Sequence, residues 1–304
     1  MALKSEYKGY FFALLGALAL ANVYVFSKAA LNEVKLAQFG TYWFGFGFIW
    51  NLIYVISFGK QKSLIGISRK NVVAIIIIGF IELIATTIFF VTIKIIIHPA
   101  VVSFIANLNP FFVVLLGISI LKERFNLIEL SGMMLTLFGS LVISYQPHHE
   151  ISDFFIKGSE LVVISSFLYA LSIIIAKRTL RKVDPSILSI TRVGFLFIFS
   201  FCALIKMKQS MIIPATTMQI IFIGSLLGPF LNSITVYLAL KYVEASKATL
   251  VRSIRSVFVV IFAYLYFKTL PENYQLIGGI ISIIGVVLIS LGQIRGQTGS
   301  IKKS

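Results

Sequence analysis

Residues 101–144 read VVSFIANLNPFFVVLLGISILKERFNLIELSGMMLTLFGSLVIS and form two apolar blocks that are separated by Lys122-Glu123-Arg124. We predict helices over 99–121 and 126–145. An α-helix rises 1.5 Å per residue, so about 20 apolar residues cross the roughly 30 Å of hydrocarbon in a bilayer. The stretch therefore predicts two consecutive transmembrane helices.

The same pattern of long apolar blocks and short polar breaks continues along the whole chain. The 304 residues are 58% hydrophobic and 12% charged, and the mean hydropathy is +0.97. A typical soluble domain has about 25% charged residues. We therefore predict an all-α integral membrane protein with ten transmembrane helices, and the other eight spans are 9–28, 36–58, 71–93, 158–177, 186–206, 216–238, 248–268 and 274–294.

The net charge of +16 comes mostly from Lys and Arg residues that flank the apolar blocks. Because no separate basic domain is present, this distribution favours a lipid bilayer as partner and excludes nucleic acid. Of the 27 basic residues, 17 fall on the side of the two termini, 7 on the other side and 3 inside spans. Cytoplasmic loops carry an excess of Lys and Arg. We expect a multi-pass protein of the inner or plasma membrane with both termini in the cytoplasm.

The two halves of the chain resemble each other at an offset near 149 residues. Lys28 matches Lys177 at this offset, and small gaps shift the later matches slightly. The pairs Gly132–Gly278 and Gly139–Gly285 also keep the same spacing. We predict two repeats, 1–146 and 147–304, with five helices each. Because five is odd, the second repeat crosses the membrane in the opposite sense, an architecture typical of transporters with a central cavity.

The stretch 101–144 resembles the end of an EamA-type half in the drug/metabolite transporter superfamily. The matching features are Pro110, Glu123, Gly132 and Gly139. The second half keeps the glycines but has Val257 in place of the proline, and Thr269 or Leu270 in place of the glutamate. The resemblance implies ten helices, a central cavity between two bundles, and export of amino acids or other small metabolites.

Small residues and proline have structural roles in membrane helices. Glycines allow helix backbones to approach closely, so we interpret the matched glycines as packing residues: Gly132, Gly139, Gly278 and Gly285. Pro110 lacks an amide donor. It either kinks its helix or has its effect absorbed by neighbouring groups.

Charged residues inside the predicted spans are the main functional candidates, since charge in a membrane is energetically costly. Glu82 lies near the middle of the third span and either binds an amine, carries a proton, or is the structural partner of an arginine. Arg252 and Arg255 lie one helical turn apart on the ninth span, and Arg192 lies in the seventh. These arginines either form an anion-attracting inner mouth or extend towards cytoplasmic headgroups.

Uncharged polar residues recur on several spans and favour a shared polar cavity. Together with the charged residues, they give the predicted substrate-binding set: Glu82, Arg252, Arg255, Asn107, Tyr169, Asn232 and Arg192. We expect neither a cofactor nor a metal site. The loop residues His148-His149-Glu150 are interpreted as solvated, because metal ligands converge from set spacings.

The leading hypothesis is a secondary transporter, an exporter of amino acids, related zwitterions or organic anions by alternating access. The chain has no Walker-type phosphate loop and no recognisable catalytic arrangement, so we do not expect an enzyme. A passive channel and a non-transporting membrane scaffold or sensor are the alternatives. Proton coupling and a homodimer are left open.

Overall fold

The computed structural model describes residues 2–64, 67–121, 126–145 and 156–301. Several sequence features lie outside these ranges: the predicted repeat boundary at 146/147, Glu123 and His148-His149-Glu150. The boundary and the interpretation of the histidine pair therefore stay predictions.

The described residues form ten apolar helices, as the sequence predicts. Nine are long and apolar enough to span a membrane, and the tenth has a shorter apolar part, Asn273–Ile289. The helices are α1 (Ala2–Glu33), α2 (Leu36–Ser57), α3 (Arg69–Ile95), α4 (Pro99–Ile105, Leu108–Leu116 and Gly117–Leu121), α5 (Leu127–Ser144), α6 (Ser159–Thr179), α7 (Pro185–Lys206), α8 (Ala215–Ser225, Leu226–Asn232 and Ser233–Tyr242), α9 (Ala245–Arg252 and Arg255–Phe267) and α10 (Asn273–Ile301).

The polar breaks of the sequence begin helices through side-chain caps. Oδ1 of Asn126 accepts hydrogen bonds from the backbone N–H groups of Ile128 and Glu129, and the Glu129 carboxylate accepts one from the Asn126 N–H at 2.7 Å. Asp184 caps α7 in the same way, and Pro185 occupies the first turn, where a missing amide donor matters least. Each cap satisfies amide groups that the helix itself leaves unpaired.

Close packing of α5 against α10 joins the ends of the two repeats. A Cβ atom added to Gly132 would lie 2.6 Å from the carbonyl oxygen of Gly285, and one added to Gly139 would lie 2.7 Å from that of Gly278. The two backbones are therefore in direct contact at all four glycines, which is the geometry that small residues allow in membrane helices.

Two matched lysines make equivalent contacts in the two repeats. Nζ of Lys28, near the end of α1, donates to the carbonyl oxygens of Lys94 and Ile96 at the end of α3. Nζ of Lys177, at the end of α6, donates to those of Leu240 and Val243 at the end of α8. The Lys28 contacts lie where α1 ends and the Lys177 contacts lie where α6 ends, on opposite faces of the bundle. This is the arrangement that an inverted repeat requires.

The predicted spans are continuous, but three of the helices are interrupted. α4 breaks at Ala106-Asn107, α9 breaks at Ser253-Ile254, and α8 has a wide turn around Pro229. In α4 the cause is Pro110, which has no N–H to donate to the carbonyl of Ala106 four residues earlier. α9 breaks at the corresponding level without a proline.

Candidate functional site

A central cavity of about 130 Å³ lies between the two repeats. Residues of α1 to α4 line it from the first repeat, and residues of α6 to α9 line it from the second. Most of the lining is apolar, and the charged residues that line it are Glu82, Arg192, Arg252 and Arg255.

The carboxylate of Glu82 is bound by residues of the second repeat. Nε of Arg192 lies 2.8 Å from Oε2 of Glu82, and Oγ of Ser172 donates to Oε1 at 2.7 Å. The side chains of Arg192 and Glu82 are only 12% and 8% exposed. Both oxygens of the carboxylate are therefore occupied, and the ion pair joins α3 to α7 across the cavity wall.

A hydroxyl network extends from this ion pair. The hydroxyl of Tyr169 donates to Oγ1 of Thr86 at 2.9 Å, and Nη2 of Arg192 reaches the same oxygen at 3.4 Å. Nη1 of Arg192 reaches Oγ of Ser233 at 3.4 Å. The guanidinium of Arg192 thus contacts α3 and α8, and it does not extend towards a membrane surface.

Arg252 and Arg255 have no carboxylate partner among the described residues. Nη2 of Arg252 donates to Oδ1 of Asn232 at 2.6 Å, whereas Nη1 is buried and has no hydrogen-bond partner in the described part of the chain. The same holds for Nε of Arg255. The two residues are 7% and 5% exposed, so they point into the protein and not to headgroups.

The break in α4 holds the guanidinium of Arg255. Nη2 of Arg255 donates at 2.8 Å to the carbonyl of Ala106, the group that Pro110 leaves without its usual helical donor. Beside it, Oγ of Ser256 contacts Oδ1 of Asn107 at 3.0 Å. The breaks of α4 and α9 therefore meet at the cavity and fix the orientation of Arg255.

Arg252 has room for its guanidinium because α1 has a glycine opposite it. A Cβ atom at Gly16 would overlap Nη1 of Arg252, and it would lie 2.8 Å from Oγ1 of Thr235. Gly16 therefore sets the position of Arg252 by leaving space for it.

The cavity carries two positive charges that no carboxylate of the described residues neutralises. Its lining has three guanidinium groups and one carboxylate, and that carboxylate is paired with Arg192. An arginine stays protonated at any physiological pH. Since uncompensated buried charge is unfavourable, an anion that enters this cavity gains the interactions that Arg252 and Arg255 lack.

An aromatic wall also lines the cavity. Its members are Tyr24, Trp43, Phe44, Phe89 and Phe90. Adjacent rings meet edge to face, with 5.1 Å between the centroids of Tyr24 and Phe89 and 6.2 Å between those of Trp43 and Phe90. Such geometry is favourable for aromatic rings.

The structure brings most of the predicted site residues together. Those that line the cavity are Glu82, Tyr169, Arg192, Asn232, Arg252 and Arg255. Asn107 does not line it; its side chain lies at the α4 break, and Asn109 lines the cavity instead. Neither Gly16 nor the aromatic wall is predicted from the sequence. The 28 phenylalanines in apolar helices give no signal for the few that face a cavity.

In the described part of the chain, no cluster of three or more His, Cys, Asp or Glu side chains could hold a metal ion.

Comparisons with known proteins place this geometry in a family. The EamA-like transporter family matches the chain twice, over residues 7–145 and 156–291. A solved crystal structure has a TM-score of 0.67 at 16% sequence identity, and the match covers 95% of this chain and 98% of that one. At this identity the likeness concerns the fold alone.

Three relatives carry the name "uncharacterized transporter". The one from Archaeoglobus fulgidus is 25% identical over 194 residues, 63% of this chain and 66% of the relative. That from Synechocystis is 23% identical over 205 residues, 64% of this chain and 58% of the relative. That from Methanothermobacter thermautotrophicus is 24% identical over 195 residues, 62% of this chain and 55% of the relative. The matched part thus spans less than two thirds of each relative.

The family model matches the chain as two repeats, and eight of the ten described apolar helices, α1 to α4 and α6 to α9, line the cavity. The chain belongs to the EamA-like transporter family.

Proposed function

We propose that the protein is a secondary transporter that carries small organic anions across a membrane by alternating access. The observation that supports this most strongly is the pair Arg252 and Arg255, two buried cations in the central cavity without a carboxylate partner among the described residues. A substrate with a carboxylate supplies the missing negative charge, and charge-assisted hydrogen bonds to guanidinium groups are the strong ones.

The occupied state of Glu82 favours an anion over an amino acid. The sequence predicted that Glu82 binds an amine or carries a proton, or else pairs with an arginine. Both carboxylate oxygens already accept hydrogen bonds, from Arg192 and Ser172. Arg192 already balances the charge of this carboxylate, so a substrate ammonium group would meet a site without net negative charge.

The position of the cavity supports alternating access. It lies between two inverted repeats, and such transporters hold their substrate between the halves while one half rocks against the other. The Glu82–Arg192 pair joins the halves on one wall, and the Arg255–Ala106 bond joins them at the helix breaks. Both contacts must be kept or exchanged as the halves move.

The proposal includes the orientation of the chain, the membrane that holds it and the direction of transport. The excess of Lys and Arg on the side of the termini supports cytoplasmic termini in the inner or plasma membrane. Both unpaired arginines lie on α9, whose beginning is on that side. This supports capture from the cytoplasm and export. Proton coupling and a homodimer stay predictions.

The test is anion exchange in proteoliposomes that contain the full chain. Vesicles are loaded with unlabelled lactate or 3-phenyllactate and diluted into the labelled anion. We expect saturable accumulation of label by exchange, and a loss of at least about tenfold in Arg252→Gln/Arg255→Gln, because each guanidinium contributes charge-assisted bonds to the anion. Arg69→Gln is the matched control, since Arg69 is exposed at the start of α3.

Three results would contradict the proposal. A flux that rises linearly with concentration indicates a channel. An absence of flux for every acid tested, in protein that remains folded, indicates a scaffold. Equal exchange by the double variant and the wild type shows that the two arginines do not bind the substrate. A pH step imposed on the same vesicles measures whether a proton moves with the anion.

A further inference from the structure

The two ends of the central cavity differ in chemistry. One end presents the unpaired guanidinium groups of Arg252 and Arg255, together with Asn232 and Thr249. The aromatic wall (Tyr24, Trp43, Phe44, Phe89 and Phe90) lies on α1, α2 and α3. None of these five wall residues carries a charge, and Arg192 beside the wall is neutralised by Glu82.

The helix ends place the wall and the arginines at different levels of the bundle. The face of the bundle opposite the termini holds the beginning of α2 and the ends of α3 and α9. Trp43 follows the first residue of α2, Leu36, by seven positions, which is about 10 Å along the helix. Arg252 precedes the last residue of α9, Phe267, by 15 positions, or about 22 Å. Arg252 therefore lies about 12 Å deeper than Trp43, measured from the same face, and Arg255, three residues nearer the end of α9, lies about 8 Å deeper.

The aromatic wall is largely apolar, and its polar groups are the hydroxyl of Tyr24 and the indole N–H of Trp43. Its rings are almost fully buried, with Trp43 1% and Phe90 4% exposed, and they pack against one another. Trp43 is further fixed by α8, where a Cβ atom at Gly228 would lie 2.7 Å from its ring. A rigid apolar surface of this kind selects ligands by the apolar area that they bury.

These observations restrict the ligand further than charge alone. Resting on the proposed anion transport, we propose that the substrate is an amphipathic monocarboxylate, whose carboxylate binds Arg252 and Arg255 and whose apolar or aromatic body lies along Trp43, Phe89 and Phe90. A sugar phosphate or a short dicarboxylate would place hydroxyl groups or a second charge against the aromatic wall. Unpaired polar groups in such surroundings are strongly unfavourable.

The test is isothermal titration of the purified full chain with three probes: acetate, 3-phenylpropionate and 3-phenylpropionamide. Acetate carries the head group alone, and the amide has the same shape as 3-phenylpropionate without its charge. We expect the Kd for 3-phenylpropionate to be at least about tenfold lower than that for acetate, because one methylene in an apolar pocket already changes affinity by roughly 10- to 200-fold. The amide also controls for heat that arises when a probe partitions into detergent micelles. It should bind the protein at least about tenfold more weakly than the acid.

Variants separate the two ends of the cavity. Phe89→Leu and Phe90→Leu should raise the Kd of 3-phenylpropionate several-fold and leave that of acetate unchanged. Phe197→Leu is the matched control, because Phe197 stacks on Phe48 at 6.5 Å and does not line the cavity. Arg252→Gln should weaken both acids.

The outcomes distinguish this inference from the proposed function. If acetate and 3-phenylpropionate bind equally tightly, and both lose affinity in Arg252→Gln, the amphipathic substrate is wrong and anion binding stands. If both leucine variants leave the affinity for 3-phenylpropionate unchanged, the ligand does not contact the aromatic wall and the inference is again wrong. If the amide binds as tightly as the acid, both the inference and the proposed anion site are wrong.

Discussion

Glu82 and Arg192 form a buried ion pair, and replacing Glu82 should destabilise the protein more than replacing Arg192. In Glu82→Gln, Arg192 keeps its charge in a site where its side chain is 12% exposed, and its Nε loses the carboxylate oxygen at 2.8 Å. In Arg192→Met, the remaining carboxylate can bind a proton and still has its hydrogen bond from Ser172. A guanidinium has no such route to neutrality.

The expected magnitudes follow from burial. Removing one partner of a buried ion pair destabilises a protein by about 3–5 kcal/mol, since the other charge is left uncompensated. We expect Glu82→Gln to fall in this range and Arg192→Met to fall below it. The double variant Glu82→Gln/Arg192→Met has no uncompensated charge, so it should recover most of the loss, with a coupling of about 2 kcal/mol or more.

The assay is equilibrium unfolding of the three variants in the same detergent, analysed as a double-mutant cycle. Ser172→Ala is a useful fourth variant, because it removes only the hydrogen bond from a hydroxyl to the Glu82 carboxylate and should destabilise by about 1.5–3 kcal/mol. A loss below about 1 kcal/mol in Glu82→Gln, or additive losses in the double variant, would show that this ion pair does not stabilise the fold as expected.

Three further predictions concern the scaffold. Gly139→Leu should lower the free energy of unfolding by about 1–3 kcal/mol, because a Cβ there would lie 2.6 Å from the backbone nitrogen of Ser282. Met134→Leu, on the exposed face of the same helix, should leave it unchanged, and thermal unfolding of both variants measures the difference. Lys28→Met and Lys177→Met should each lower the free energy of unfolding of the protein by about 1–3 kcal/mol, because each removes a charged donor from two carbonyls at a helix end. Clearly unequal losses of stability in the two variants would count against the inverted repeat. Burial opposes ionisation of Asp184, but hydrogen bonds from Ser186 and the nearby Lys60 outweigh it and hold the pKa of Asp184 below its ordinary value. The stabilisation from this carboxylate is thus present above about pH 4 and is lost as the pH falls through the folded pKa, so Asp184→Ala should destabilise by about 1 kcal/mol at pH 7 and by less at pH 3.

The helices and the repeat could be predicted from the sequence because they depend on local composition. A run of about 20 apolar residues between charged breaks has few other ways to satisfy its backbone in a membrane. The matched lysines also carried real information, since Lys28 and Lys177 make equivalent bonds to helix ends in the structure. Single matches between apolar helices carried much less.

The helix breaks could be predicted only in part. Pro110 indicated a change in α4, because it cannot donate to the carbonyl of Ala106. Nothing in the sequence indicated that Arg255, 149 residues from Ala106, would donate to that carbonyl. Nor did Val257 indicate that α9 would break three residues earlier.

The partners of the charged residues were also beyond the sequence. The sequence does not indicate which arginine pairs with Glu82, and only the fold places Arg192 beside it, 110 residues along the chain. That pairing decides which two guanidinium groups are left for a substrate. The aromatic wall escaped notice for a related reason, since lipid-facing and cavity-facing phenylalanines look alike in one sequence.

The proposed transport depends on the binding of an organic anion by Arg252 and Arg255 in the cavity. Its most direct test is thermal unfolding of the full chain against carboxylates and their isosteric amides, with amino acids and sugar phosphates in the same panel. A ligand at 100 times its Kd stabilises the folded state by about 2.7 kcal/mol. We expect a carboxylate to raise the Tm of the wild type and of Arg69→Gln, its amide to have no effect, and the shift to disappear in Arg252→Gln/Arg255→Gln. An equal shift by the amide, or a shift that persists in the double variant, would contradict the account.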